Sequence, residues 1–328
     1  MDTPPGTHES RNQTFIMEFI LLGFGNVPEL QVLLFLLFLV IYIMTMAGNI
    51  LTVVLVVADP HLQTPMYFFL GNVSCLETCY TSNILPRMLA SLRTGENHFC
   101  EWLLHAALLF WSLGMFKMAA MSYDRYLAIC KPLHYVSLMN DRFCFQQVVG
   151  SWISGFVAAS IIVSGISMLM FCGPNKIDHF LCEFNIVIKL SCSDTHSMVL
   201  VAFLLSSLFT LPPFLLTLTS YISIITTILR IPSSTGRQKV FSTCSSHLMV
   251  VTIYYGTLII VYLLPDINTL RGMTKVFSAF YTILTPLVNP LIYSLRNKEV
   301  KEALRKVVGK LGTFTAVQRI QANAFRSK

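Results

Sequence analysis

Two charged residues stand inside long stretches that are otherwise free of charge, and each is a candidate for chemistry. Glu77 is the lone charge between Pro60 and Pro86, and Lys117 the lone charge between Trp102 and Tyr123. A carboxyl in an apolar setting can hold a proton or a cation, or tie helices together through hydrogen bonds. A buried amine can form a Schiff base, relay protons, pair with a carboxylate, or run its long stem toward an interface. Retinal chemistry would want its lysine on a late apolar segment, and Val276 to Leu295 contains none. Asp124 and Arg125 are adjacent and can hold each other by charge-assisted hydrogen bonds. His105, His179, His196 and His247 are too dispersed for a metal site, and no intramembrane Ser-His or His-Glu catalytic constellation is visible. No catalytic residue, metal or cofactor is therefore assigned; the chemistry on offer is that of a switch.

The elements that must position these groups are apolar helices. Hydrophobic residues make up 54% of the 328 and charged residues 12%, where a soluble domain has about 25% charged. Charge-free runs extend over Leu30–Ala58, Phe143–Asn175, Thr195–Leu229, Val240–Pro265 and Val276–Leu295. Each is long enough to cross a bilayer, which takes about 20 residues. The stretches around Glu77 and Lys117 bring the total to seven. Apolar character all round for many turns excludes a strand-built barrel. The expected fold is an all-α membrane protein: a seven-transmembrane bundle over residues 30–295, preceded by a polar tail, 1–29, and followed by a cytoplasmic segment, 296–328.

Lysine and arginine fix the orientation. Arg125, Lys131, Arg142, Arg230, Arg237, Lys239 and the basic residues from Arg296 onward fall on one side, and outnumber those on the other. The C-terminus is thus expected in the cytoplasm, and the net charge of +7 needs no nucleic-acid partner. Asn12-Gln13-Thr14 is a glycosylation sequon in the outer tail, whereas Asn72-Val73-Ser74 lies inside span two. Met1 to Thr14 has no basic start or apolar run, so the first span is expected to direct insertion. Cys100, Cys172, Cys182 and Cys192 fall on the outer side, where disulfides persist, and allow three pairings. Pro212, Pro213, Pro286 and Pro290 interrupt the spans as hinges or static kinks.

Read together, several strings resemble the odorant receptors, within the rhodopsin-like G protein-coupled receptors. They are Gly48-Asn49, Pro65-Met66-Tyr67-Phe68-Phe69-Leu70, and Met121 to Cys130 with Asp124-Arg125-Tyr126. Ser220-Tyr221, Phe241 to His247, and Pro286-Leu287-Val288-Asn289-Pro290-Leu291-Ile292-Tyr293 follow in order, each at its expected span. The resemblance covers about residues 20 to 310. It implies an activation switch of Asn49, Glu77, Asp124, Arg125, Tyr221, Asn289, Pro290 and Tyr293, with Asp124 holding Arg125 at rest. Outward movement of the cytoplasmic half of span six would then open a cleft for the G protein. It also implies disulfides Cys100–Cys182 and Cys172–Cys192 and a glycan at Asn12. Apolar Val300, Ala303, Leu304 and Val307 at helical spacing suit a short amphipathic eighth helix against the inner leaflet. Two positions depart from the family pattern. Span two carries Glu77 where aspartate is usual, and Gly114 stands where span three often has an acid. The longer Glu77 side chain is expected to fill part of that space, and Lys117 to offset its charge.

In this family the ligand lies in the extracellular half, between spans three, five, six and seven. Counting from the motifs gives Ala107, Leu108, Trp111, Ser112 and Met115 on span three and Leu205, Ser206 and Phe209 on span five. Span six gives Leu258, Ile259 and Tyr262, and span seven Ala279 and Thr282. An apolar lining with a few hydroxyls and no charge fits a small neutral odorant. The expectation is a plasma-membrane odorant receptor that couples to a stimulatory G protein and raises cyclic AMP, with membrane lipids around it. A transporter would show a repeat between its halves, and none is visible.

Overall fold

The computed structural model describes residues 20–21, 28–94, 100–172, 176–177, 183–263, 282, 286–290, 292 and 300–306. Six long helices carry most of them: α1 (Pro28–Ala58), α2 (Pro65–Thr94), α3 (Cys100–Cys130), α5 (Asp141–Ser167), α7 (His196–Leu229) and α8 (Ser234–Leu263). They form spans one to six. Span seven is helical at 282, 286–290 and 292. A chain in lipid must satisfy its backbone hydrogen bonds internally, which makes the long helix the default for these apolar runs.

Helix starts are chemically marked. Pro65 opens α2 and Pro132 opens the short α4 (Pro132–Leu138), where a missing N–H costs nothing. The Asn140 side chain caps α5 by accepting from the Phe143 N–H at 2.8 Å. Ser233 does the same for α8, its Oγ accepting from the Gly236 N–H at 3.2 Å. That cap starts α8 six residues before the charge-free run at Val240 and carries its first turns beyond the apolar zone. Conversely, the run from Phe143 to Asn175 overshoots its helix. Span four ends at Ser167, and Phe171 then bridges to Ser191 while the Cys192 N–H donates to the Met170 carbonyl at 2.9 Å. The disulfide Cys172–Cys192 closes that outer loop. The loop also contains the short α6 (Phe184–Lys189), and the strand β2 (Lys176–Ile177) pairs in parallel with β1 (Ile20–Leu21).

Two apolar cores stack along the bundle. One, at the end of the bundle that carries Asp124 and Arg125, gathers Phe69, Leu70, Met115, Met118, Met121, Tyr221, Tyr254 and Leu258; the other, toward the loop closed by Cys172–Cys192, gathers Phe38, Ile84, Leu104, Ile162 and Val187. The opposite faces of the same helices expose Val32, Val40, Ile43, Val54, Ile153, Phe203 and Leu208, and an apolar exterior of that extent suits lipid. Residues 300–306 turn Val300 and Ala303 inward and leave Lys301, Glu302, Arg305 and Lys306 exposed, with Lys306 3.4 Å from Asp59. This is the amphipathic eighth helix.

Candidate functional site

The C-terminal end of span three holds a closed charge cluster. Arg125 donates to Asp124 Oδ2 from Nε at 3.0 Å and from Nη2 at 2.7 Å. The other carboxylate oxygen, Oδ1, accepts from the Tyr135 hydroxyl at 2.8 Å. Asp124 is fully buried, and an ionised group there needs every such bond. Tyr135 lies on α4, outside the spans; burial and the neighbouring Asp124 carboxylate push its phenol up, so it remains a donor across physiological pH. Sequence reasoning missed Tyr135, because its distance from Asp124 depends on α4 folding back. Opposite, Tyr221 on α7 and His247 Nδ1 on α8 share a short hydrogen bond, and Arg125 lies within electrostatic reach of His247 and Cys244. His247 sits in a quoted motif, yet nothing in that string pointed to Tyr221 as its partner.

A second polar cluster lies deeper, between spans one, two and seven. Pro290 has no N–H to donate to the carbonyl four residues back, that of Pro286. Asn49 supplies the missing donor: its Nδ2 reaches the Pro286 oxygen at 3.2 Å and the Thr45 oxygen at 3.0 Å. Asn289 in turn donates from Nδ2 to Glu77 Oε1 in a short hydrogen bond. Span one packs against Pro290 so closely that a Cβ on Gly48 would stand 3.2 Å from its ring. Glu77 Oε2 and Asn49 Oδ1 are buried and without a hydrogen-bond partner among the described residues. Asn49, Glu77 and Asn289 are therefore brought together as expected.

Lys117 goes elsewhere. It is 2% exposed, so it does not run to the cytoplasmic interface, and it makes no salt bridge with Glu77. Its ammonium donates to the Asn72 carbonyl at 2.8 Å and lies 5.5 Å from the centroid of the Trp152 ring. The helical turn places it on the face toward spans two and four, away from the expected ligand stripe. The space beside Gly114 is also filled otherwise than expected: a Cβ there would stand 2.6 Å from the hydroxyl of Tyr254 on α8. Glu77 stays with Asn289.

The expected ligand residues divide. Trp111, Phe209, Leu258 and Met115 are buried or half-buried within the bundle, Leu108 and Leu205 pack against the outer core, and Ala107 is half-buried. Two serines do not fit. Ser112 turns to span four, where a Cβ on Gly155 would meet its Oγ at 2.5 Å, and it donates to its own helix at Leu109. Ser206 is exposed on the outside of α7. Both follow from a helix turn of about 100° per residue, which carries an adjacent position off the shared face. Thr282 is buried, and its hydroxyl and the Trp111 indole N–H are without a hydrogen-bond partner among the described residues. The side chains of Cys100, Ile259 and Tyr262, and residues Asn12, Cys182, Ala279 and Tyr293, lie outside the described residues. A separate cleft of about 380 Å³ lies between the C-terminal end of α7 and the N-terminal end of α8, lined by Ile225, Leu229, Arg237 and Phe241.

Comparison with known proteins places this arrangement. Residues 38–310 match the olfactory receptor family. The chain is 46% identical to Olfactory receptor 10A7 of Homo sapiens over 312 residues, 92% of this chain and 99% of that one. It is 42% identical to Olfactory receptor 1E16 of Mus musculus, over 90% of this chain and 96% of that one. Its fold is that of squid rhodopsin, with a TM-score of 0.69 and 18% identity over 87% of each chain. Members of that family are receptors that take a small-molecule ligand and a G protein as partners, and are not enzymes. The chain belongs to the olfactory receptor family of multi-pass membrane proteins.

Proposed function

We propose that this receptor is activated by a small, neutral, hydrophobic volatile held in the extracellular half of the bundle, and that it couples to a stimulatory G protein and raises cyclic AMP. Trp111, Phe209, Leu205, Leu258 and Thr282, with Ala107 and Leu108, are assigned to the site, and the sequence reading adds Ile259, Tyr262 and Ala279. The Trp111 N–H and the Thr282 hydroxyl, buried without partners among the described residues, orient the ligand by its acceptor atom, since an unpaired buried donor gains most from a new bond. The N-terminal tail with Asn12 is outside and residues 296–328 are inside, in contact with acidic lipid headgroups.

The observation that carries the reading is the Asp124–Arg125–Tyr135 cluster, closed at rest and seated where a ligand-driven change in span six can release it. Cells expressing the receptor with a cyclic AMP reporter test the reading against a panel of neutral ketones, esters and alcohols. A rise that disappears in cells lacking stimulatory α subunits supports it. A rise that persists there refutes the coupling, and a response only to charged amines refutes the ligand class.

A further inference from the structure

Span six is tied to span three by a contact outside every motif quoted from the sequence. Tyr254, 6% exposed on α8, donates from its hydroxyl to the Trp111 carbonyl at 3.3 Å. The oxygen reaches that carbonyl because residue 114 has no side chain. A Cβ built on Gly114 would stand 2.6 Å from the Tyr254 oxygen, 3.2 Å from Cζ and 3.5 Å from Cε2. The phenol is not free to step aside. Its ring sits edge-on to Tyr255 at 5.7 Å, and Tyr255 is edge-on to Phe214 of α7 at 5.0 Å. A rigid ring has no flexible end to yield, so a side chain at 114 must displace Tyr254 and the helix that carries it.

We propose that Gly114 and Tyr254 form a matched latch that holds span six inward, and that Trp111, whose carbonyl receives the latch and whose ring faces the ligand site, transmits ligand occupancy to it. Tyr254 is a positioning residue. The proposal rests on the reading above for the meaning of span-six movement, but the latch itself does not depend on which G protein follows. An acidic side chain at 114 and a tyrosine at 254 exclude one another by the same distances.

The test uses full-length receptor purified in detergent, with no ligand, as a double-mutant cycle of Gly114→Ala and Tyr254→Phe. Two quantities are read: the unfolding temperature, and the rate at which Cys244 is alkylated by a maleimide, resolved by mass spectrometry. Cys244 is 3% exposed on the cytoplasmic half of α8, and Cys144 on span four, also 3% exposed, serves as the internal control. Gly114→Ala alone is expected to lower the unfolding temperature by roughly 3 °C or more. It is also expected to speed labelling of Cys244 on the order of tenfold, as a minor open population becomes a substantial one, with Cys144 unchanged. In the Tyr254→Phe background, where the oxygen at 2.6 Å is gone and only the 3.2 Å approach to Cζ remains, adding Gly114→Ala changes both quantities clearly less than it does alone. Equal effects of Gly114→Ala in the two backgrounds overturn the latch, as does a stability loss with no change at Cys244. Opening at Cys244 with flat basal cyclic AMP in cells upholds the latch and refutes the coupling reading instead.

Discussion

Lys117 offers the sharpest energetic test of the packing described. Its ammonium has three donors, and among the described residues one is used, on the Asn72 carbonyl at 2.8 Å. Placing a lysine at the centre of a membrane helix costs about 3 kcal/mol. The charged hydrogen bond returns about 2 kcal/mol, and the Trp152 face at 5.5 Å returns about 1 kcal/mol. The terms nearly cancel. Lys117→Met, which keeps the length and drops the charge, is then expected to be neutral or to stabilise by about 1 kcal/mol, raising the unfolding temperature by roughly 3 °C. Lys117→Ala, which also empties a fully buried site, is expected to cost about 2 kcal/mol or more. Thermal unfolding of the purified variants separates the two. If Lys117→Met costs as much as Lys117→Ala, the ammonium itself holds spans two, three and four together, and the reasoning fails. Repeating the pair in a Glu77→Gln background asks whether the two charges offset one another across α2; an unchanged Met effect would show that they do not.

Other outcomes follow from particular contacts. Tyr135→Phe removes one of the bonds on Asp124 without touching Arg125, and should raise basal cyclic AMP several-fold at equal surface level, as a loss of about 1 kcal/mol implies; unchanged basal signalling would show that α4 is a bystander. Cys192→Ser opens a loop of 20 residues and should cost about 3 kcal/mol, read as loss of surface receptor by flow cytometry, with Cys172→Ser matching it. Trp111→Phe keeps an aromatic ring, though a smaller one, and removes the N–H that has no partner among the described residues, so the potency of an acceptor-bearing agonist should fall by about tenfold, while Ser112→Ala, whose hydroxyl faces span four, should leave potency unchanged; the reverse order in a dose–response assay would reassign the pocket.

Much of this was legible in the sequence. Span number and approximate bounds followed from charge-free length, because a bilayer leaves a chain few alternatives to the helix. The meeting of Asn49, Glu77 and Asn289 was legible from depth alone. What was not legible depended on direction rather than depth. Ser112 and Ser206 each sit one residue from a ligand-facing neighbour, and a single residue rotates a side chain onto another helix. The end of span four was hidden because Met168 to Cys172 is as apolar as the helix before it, and the loop is set by Cys172–Cys192 and the Phe171–Ser191 bridge. Tyr135 and Tyr254 carry no motif of their own; each acquires its role from a partner distant in sequence or on another helix.

The central claim is that Arg125, held by Asp124 at rest, is the group whose release couples the ligand site to the G protein. The direct measurement is cyclic AMP in cells expressing wild type and Arg125→Ala at matched surface levels, challenged with an agonist from the neutral-volatile panel. The account predicts a dose-dependent rise in wild type that is lost in the variant. A full response in Arg125→Ala would contradict it.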